Sequence, residues 1–386
     1  MKKIFLLLAC ASMMATSAMA QVSVVKEVAK LVNSGKPEDL GQAMMKIMPA
    51  LENPETKDNA ETWYLAGKAA FGLYDQMSIM KQMSEGQGQE SPVPAEQLAE
   101  VLMGGFEFMQ TALPLDSVKE KNKDGSLKLD KNGNPKVKTK YSNEIADILA
   151  SHISDVLTFA GDCVNNQKYE TAAQAYTNFF DLLDTSFAHK ANINLSPEDF
   201  AQTKFFQGFS QYYAKDFLNC YKNVSLALAG GYTENNAAVY KSSALANIIQ
   251  EKVDAKDFAG AYAFIDEAIG AEPNSSLLYD MKGFIVEQDK GNEQALPLYK
   301  KAVQLDANNA DANYNVGRLL YNKANDLILA NPDATTVQMV PMLQPIYEEA
   351  LPYLRKAAEI DETKASQVKY ITDDIDYKYE QMGLKK

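Results

Sequence analysis

Residues 293–306 read EQALPLYKKAVQLD, and residues 348–361 read EEALPYLRKAAEID. Seven of the fourteen positions are identical, and Lys300/Arg355 and Leu305/Ile360 are close substitutions. The copies start 55 residues apart. Alanines carry the alignment: Ala295 and Ala302 match Ala350 and Ala357, and the same spacing appears earlier as Ala261 and Ala268, followed by Pro273. From Ala261 to Ala295 is 34 residues. Upstream, Gly283 stands twelve residues before Ala295 and Gly317 thirty-three before Ala350, so the interval of 55 is a 34-residue period plus an insertion of 21. Self-similarity at a fixed period of this length is the mark of stacked helix pairs.

A 34-residue period with a small residue at position 8, Ala at 20, an aromatic or Leu at 24 and Ala at 27 resembles the tetratricopeptide repeat (TPR). The units 242–275, 276–309 and 310–364 follow without gaps. Tyr279, Gly283, Ala295, Tyr299 and Ala302 occupy the family positions in the second, and Gly317, Ala350, Leu354 and Ala357 in the third. Weaker copies lie upstream. Unit 201–234 has Gly208, Cys220 and Ala227, and unit 153–186 has Ala160, Ala172 and Tyr176. The unit from Ala60 has Trp63 and Gly67, then Gly105 and Ala112 displaced by 26 extra residues, and a first pair over 24–57 keeps Ala43, Ile47, Ala50 and Pro54. The resemblance covers nearly the whole chain after residue 20. It implies an all-α, right-handed TPR-like α-solenoid of about seven helix pairs, closed by a C-terminal capping helix over 365–386. In that arrangement position 8 of the first helix faces position 20 of the second, and small residues let the backbones approach. One pair cannot bury its own apolar face, so neighbouring pairs stack. Pro297 and Pro352 are expected in the first turns of their helices, where a missing N–H costs little.

Three insertions divide the array into an N-terminal part (21–115), a Lys-rich segment (116–141) and a longer array (142–364). Residues 75–98 continue a Met-rich helix through Met77, Met80 and Met83 into a polar loop, GQGQESPVP. Residues 323–344 extend a helix through Leu327 and Leu329, break at Asn331-Pro332 and resume near Pro341. Residues 116–141 place eight lysines between Lys119 and Lys140 in an acidic chain. Asn132-Gly133 is a turn signal there, and Leu127, Leu129 and Val137 alternate with lysines, which reads as a small β-hairpin or exposed loop. This segment is solvated or docks an acidic partner. Its DKNGN lacks the glycine and glutamate spacing of a calcium loop.

The chain has 386 residues and a formal charge of −13, so its surface repels phosphate backbones and no nucleic-acid partner is expected. Lys2 and Lys3, the apolar run Ile4 to Met14 and Ala18-Met19-Ala20 resemble a bacterial signal peptide over 1–20, cleaved before Gln21. Lipidation at Cys10 fits poorly, because the preceding apolar run is short and Leu8 stands where a small residue belongs. The chain is therefore expected to be exported and periplasmic or secreted, with no transmembrane segment once the leader is removed. Cys163 and Cys220 fall inside helical patterns and read as buried free thiols.

Two histidines far apart in sequence, no nucleotide-binding or hydrolase motif and no metal-ligand spacing argue against an enzyme, and no cofactor is expected. Protein binding is the better expectation. The resemblance implies that positions 2, 5, 9, 12 and 13 of each first helix line a binding groove. In the unit from Ala60 these are Tyr64, Lys68 and Phe71. In the unit from Ala201 they are Phe205, Phe209, Tyr212 and Tyr213. Phe284 follows in the unit from Ser276, then Tyr314, Arg318, Tyr321 and Asn322 in the unit from Ala310. Exposed aromatics beside an Arg suit recognition, but the spacing 205, 209, 212 equally fits a core stripe. The partner expected is a peptide or helix of another envelope protein. The runner-up is a glycan or small ligand stacked on the same rings. The Lys and Asn at positions 5 and 9 with which some TPR proteins clamp a C-terminal carboxylate are absent.

Overall fold

The computed structural model describes residues 18–384. The leader expected over 1–20 therefore lies almost wholly outside the described residues. The chain divides into two compact units, Met1–Ala214 and Lys215–Lys386.

The first unit carries α1 (Ala18–Ser34), α2 (Pro37–Glu52), α3 (Ala60–Gly86), α4 (Ala95–Leu115), α5 (Ser142–Ser151), α6 (Ile153–Asn165), α7 (Tyr169–Leu183) and α8 (Pro197–Tyr213). Strands β1 (Val118–Lys119) and β2 (Val137–Lys138) stand between α4 and α5. The second unit carries α9 (Phe217–Ala229), α10 (Ala237–Asp254), α11 (Phe258–Ala271), α12 (Ser276–Lys290), α13 (Asn292–Leu305), α14 (Ala310–Ala330), α15 (Thr336–Ile360) and α16 (Ala365–Gln381). Within each unit the helices pack chiefly on their neighbours in sequence. The most extensive contacts are α3 with α4, α6 with α7, α12 with α13 and α14 with α15. The described residues thus form an all-α, solenoid-like array of helix pairs with one small sheet. The division between units falls between α8 and α9, inside the 201–234 repeat, and α9 packs more extensively on α10 than α10 does on α11.

One contact recurs and defines the pairs. A Cβ built on Gly67 would lie 2.5 Å from Met109 Cγ, one on Gly283 2.7 Å from Tyr299 Cε1, and one on Gly317 2.5 Å from Leu354 Cγ. Each glycine is at position 8 and each covering side chain at position 24 of its own unit. Met, Tyr and Leu share no chemistry beyond size, so the contact is steric: a bare backbone receives a large side chain. At Gly317 the position-20 backbone is close as well, with Ala350 O 3.3 Å from the added Cβ. Tyr299 and Leu354 are buried as a result.

The turn inside the pair recurs too. Gln167, Lys215 and Lys256 have φ of 57°, 61° and 58°. All three stand at position 15 of their units. The amide after the first and third reaches back five residues, Lys168 N to Cys163 O and Asp257 N to Lys252 O, both at 2.8 Å. These are Schellman closures, which glycine would serve with less strain. Asp257 then caps α11 by accepting from Gly260 N.

The insertions depart from the sequence reading in three places. Residues 323–344 do break at Asn331-Pro332, but α15 restarts at Thr336 rather than near Pro341. Thr335 and Gln338 form a capping box that starts it. In consequence Pro341, Pro345 and Pro352 all lie inside a 25-residue helix, and Pro297 is the sixth residue of α13 rather than in its first turn. All four prolines are exposed. Water reaches the carbonyls their missing N–H groups leave unbonded, which lets the helices run through them. The segment 116–141 is a small sheet with more pairing than one hairpin, since Lys121 bridges Leu127 and Leu129 bridges Pro135 besides the β1–β2 pair. Cys163 and Cys220 are buried free thiols, and burial pushes them up to about 11 and about 12.

Gly317→Ala should destabilise the second unit by about 1–3 kcal/mol, because Leu354 and the Ala350 carbonyl must move. Gly270→Ala, at an exposed position of α11 with open space around it, should instead stabilise by up to ~1 kcal/mol. Urea unfolding of both variants checks the pair, and equal effects would refute the packing assignment.

Candidate partner-binding site

The side chains assigned to a binding groove meet three different fates. Tyr64 is buried, its ring stacked on Tyr141 at 4.4 Å between centroids. Lys68 is ion-paired with Glu144 at 2.8 Å. Burial, with Glu144 beside it, pushes the Tyr64 hydroxyl well above its ordinary range. Phe71, one turn further, stacks on His152 at 4.2 Å. Residues 141–152 therefore cover this face of α3. Tyr64 and Lys68 are internal contacts, because α5, which belongs to no repeat, supplies from within the chain what a partner would supply.

In α8, Phe205 is fully buried, so the core-stripe reading holds for it. Phe209 and Tyr212 are half-buried and Tyr213 is exposed. Tyr213 stacks on Tyr169 at 4.5 Å, and Phe209 meets the same tyrosine edge-on at 5.7 Å. One face of each stacked ring is thereby taken.

Phe284, Tyr314, Arg318 and Tyr321 lie in the second unit, on first helices that sit side by side. Position 9 of α14, Arg318, donates from Nη1 and Nη2 to Glu287 Oε1 and Oε2 of α12 at 2.8 and 2.7 Å. Tyr299, the residue lying on Gly283, donates its hydroxyl to the same Oε2 at 2.9 Å. Arg318 is thus a fixed bidentate partner of Glu287 rather than a free cation. Tyr321 donates to Asp374 Oδ2 at 2.8 Å, and Lys378 of α16 lies 5.1 Å from its ring centroid. Asp374 is half-buried, and the Tyr321 bond ties α16 to α14. Tyr314 is half-buried, with Lys364 5.7 Å from its ring centroid. Phe284 is half-buried against the α10–α12 core.

Asp280 was missed, although it is position 5 of α12, one turn before Phe284 and two before Glu287. Its side chain is 6% exposed. Asn315 Nδ2 donates to Oδ1 at 3.2 Å, and among the described residues no cation reaches ion-pairing distance. The nearby cations are engaged elsewhere: Arg318 with Glu287, and Lys364 with Asp311 at 2.5 Å. Burial pushes the carboxyl up to about 7; the Asn315 hydrogen bond opposes this, Asp311 adds to it, and Lys364 and Arg318 are too distant to restore it. On α16, Tyr370 and Tyr377 stand one turn either side of Asp374 and are 72% and 60% exposed. The face therefore holds a buried acid without a cation and, at its α16 edge, two exposed aromatic rings.

Among the described residues no group of three or more His, Cys, Asp or Glu is placed to hold a metal ion. No helix among them is long and apolar enough to cross a membrane.

These are TPR-like helix pairs. No family model and no curated protein matches the chain. Among solved structures it is similar to a TPR repeats protein from Bacteroides fragilis NCTC 9343, at 18% identity over 58% of this chain and 98% of that one, with a TM-score of 0.34. It is similar to MamA from Desulfovibrio magneticus RS-1, at 15% identity over 55% and 96%, TM-score 0.31. The TPR domain of P58(IPK) matches at 12% identity over 95% and 99%, TM-score 0.28. The contacts at Gly67, Gly283 and Gly317, rather than these likenesses, make the pairs TPR-like.

Asp280 has a stability consequence of definite sign. Its folded value lies above the unfolded carboxyl value, so the folded state holds the proton more tightly. That contribution is complete below pH 4 and is lost as pH rises through about 7. Asp280→Asn should therefore stabilise the second unit relative to the parent by roughly 2–3 kcal/mol more at pH 8 than at pH 5. Urea unfolding at the two pH values measures the difference, and parallel behaviour of parent and variant would show that Asp280 stays ionised throughout.

Proposed function

We propose that the chain is a non-enzymatic protein-interaction scaffold of the bacterial cell envelope, exported by its N-terminal segment. Its second unit holds an extended or helical partner segment along the face of α12, α14 and α16. The carrying observation is Asp280, a buried carboxyl on the groove-side register with no cation of its own. A partner lysine or arginine would supply the missing charge and keep the carboxyl ionised. Tyr370 and Tyr377 provide the exposed rings that dominate recognition surfaces. The equivalent face of α3 supports this reading, since there the chain's own α5 segment lies against the groove-side residues.

An array of twelve-residue peptides probed with the full chain tests the binding. The expected result is a bound set enriched in Lys or Arg, weakened about tenfold or more by Asp280→Asn and by Tyr370→Ala. A bound set identical in parent and Asp280→Asn, both folded by circular dichroism, sinks the assignment of this face. For export, protein recovered from the periplasm of an expressing bacterium should begin at Gln21. Recovery only from the cytoplasm with Met1 retained contradicts it.

A further inference from the structure

The Lys-rich insertion is a sheet of unusual closure. Glu120 N donates to Lys136 O, Lys128 N to Glu120 O, and Lys136 N to Lys128 O, at 2.7–2.9 Å. Three extended segments thus meet at one junction, each paired to both others. The two free arms end in turns where Gly125 and Gly133 have φ of 88° and 82°. The acids in those turns are spent on the turns themselves: Asp124 accepts from Ser126 N, and Asp130 from Asn132 N and Asn134 N. At the base, buried Asp116 accepts from Lys140 N, Tyr141 N, Ser142 N and Ser142 Oγ at 2.7–3.0 Å. Burial would raise its carboxyl, but these bonds outweigh that and hold it below the usual range. The sheet is rigidly mounted at its root.

The register sorts the side chains completely. Directly opposed residues share a face, as do residues two apart in one strand. Following 119, 121, 127, 129, 135 and 137 round the junction returns to 119 without contradiction. One face therefore carries Leu127, Leu129, Pro135 and Val137 with Lys119 and Lys121. The other carries Val118, paired with Lys138, and Glu120 among Lys128, Lys136 and Lys138, which hold the Glu120 carboxyl below the ordinary range. The apolar face is uncovered: Leu127, Leu129 and Val137 are 39%, 55% and 50% exposed. Eight lysines stand against four acids in this segment of a chain whose net charge is −13.

We propose that this three-armed sheet is a membrane-docking element that lays its Leu127–Leu129–Pro135–Val137 face on an anionic lipid surface. Charge selects the occupant first, because only an acidic surface complements this segment. Size selects lipid over protein. A face three strands wide and five residues long spans roughly 250 Å², well under the ~800 Å² per partner of a specific protein interface. A lipid surface needs no shape complementarity, and binding there combines a few inserted aliphatic side chains with a basic rim. The acidic remainder of the chain is repelled from such a surface, which confines contact to the sheet.

Flotation of the full chain with phosphatidylcholine vesicles, with and without phosphatidylglycerol, tests this. Zwitterionic vesicles report any binding through the N-terminal apolar segment. Binding should require the anionic lipid and fall steeply with salt. It should drop about tenfold or more in Leu127→Ser/Leu129→Ser and in Lys119→Glu/Lys121→Glu. The exposed positions leave the helices unaffected, which circular dichroism verifies. Absence of anionic-vesicle binding at low salt overturns the proposal, as does binding unchanged in both variants. Variant-sensitive binding to polyglutamate without vesicle binding also overturns it, in favour of an acidic protein partner.

Discussion

The structure depends on a steric contact made between two helices of one pair: the position-24 side chain lying on the bare backbone of a position-8 glycine. Met109 on Gly67, Tyr299 on Gly283 and Leu354 on Gly317 make it with three different side chains. A β-carbon would occupy the same space, so the contact sets how closely the helices approach and hence how each pair presents its outer faces. Everything outside the contact varies. The connection between the helices is a tight turn at Gly291 in α12/α13 but a long extension in α3/α4 and α14/α15. The contact survives both, because it is made between helix bodies and not by the loop.

Tyr299 shows how packing inside one pair reaches the next pair. The ring that fills the space above Gly283 sends its hydroxyl through to Glu287, where Arg318 of the next pair also ends. One side chain thereby ties α13 to α12 and, through the carboxylate, α12 to α14. Glu287 is only 12% exposed at its side chain and has two partners. Asp280, two turns away on the same helix, has an amide and no cation. Two acids on one stripe thus differ in kind: the first completes the array, and the second is left short of a positive charge. The array's own stability does not need Asp280 ionised, because burial favours its protonated form and, among the described residues, Asn315 is its one hydrogen-bond partner across the helices.

The fold was legible in the sequence because its defining contact needs particular residue sizes at fixed spacing. Gly283, Ala295, Tyr299 and Ala302 announce themselves by interval alone. The αL turn residues were not legible, since Gln167, Lys215 and Lys256 give no local signal and the strain is absorbed by the packing around them. The face of the first helices was half legible. Position rules select Tyr314, Arg318 and Tyr321 of α14, and the same rules point to Asp280 and Glu287 of α12, which an eye for aromatics passes over. They fail at Tyr64 and Lys68 because α5, a helix outside the period, covers that face. Periodicity reports what repeats and is silent about what a non-repeating segment does to it. Phe205, by contrast, was ambiguous in principle: a stripe at 205, 209 and 212 has the same spacing whether it faces a core or a groove.

The insertions obey a different physics from the repeats. A packed pair tolerates little change, because each buried position is held by neighbours on several sides. An insertion between helices is constrained only at its two ends. The three-armed sheet is the extreme case: its fold is closed by its own backbone bonds at Glu120, Lys128 and Lys136, and its root is held by one carboxylate, Asp116. Nothing in that design requires leucine at 127 or 129, where no helix packs on them and water does not reward them. An exposed aliphatic pair set among lysines on a self-sufficient mount is a surface whose composition answers to something other than the stability of the array. The acid at Asp280 has the same character, since the packing of the array does not call for a carboxylate there.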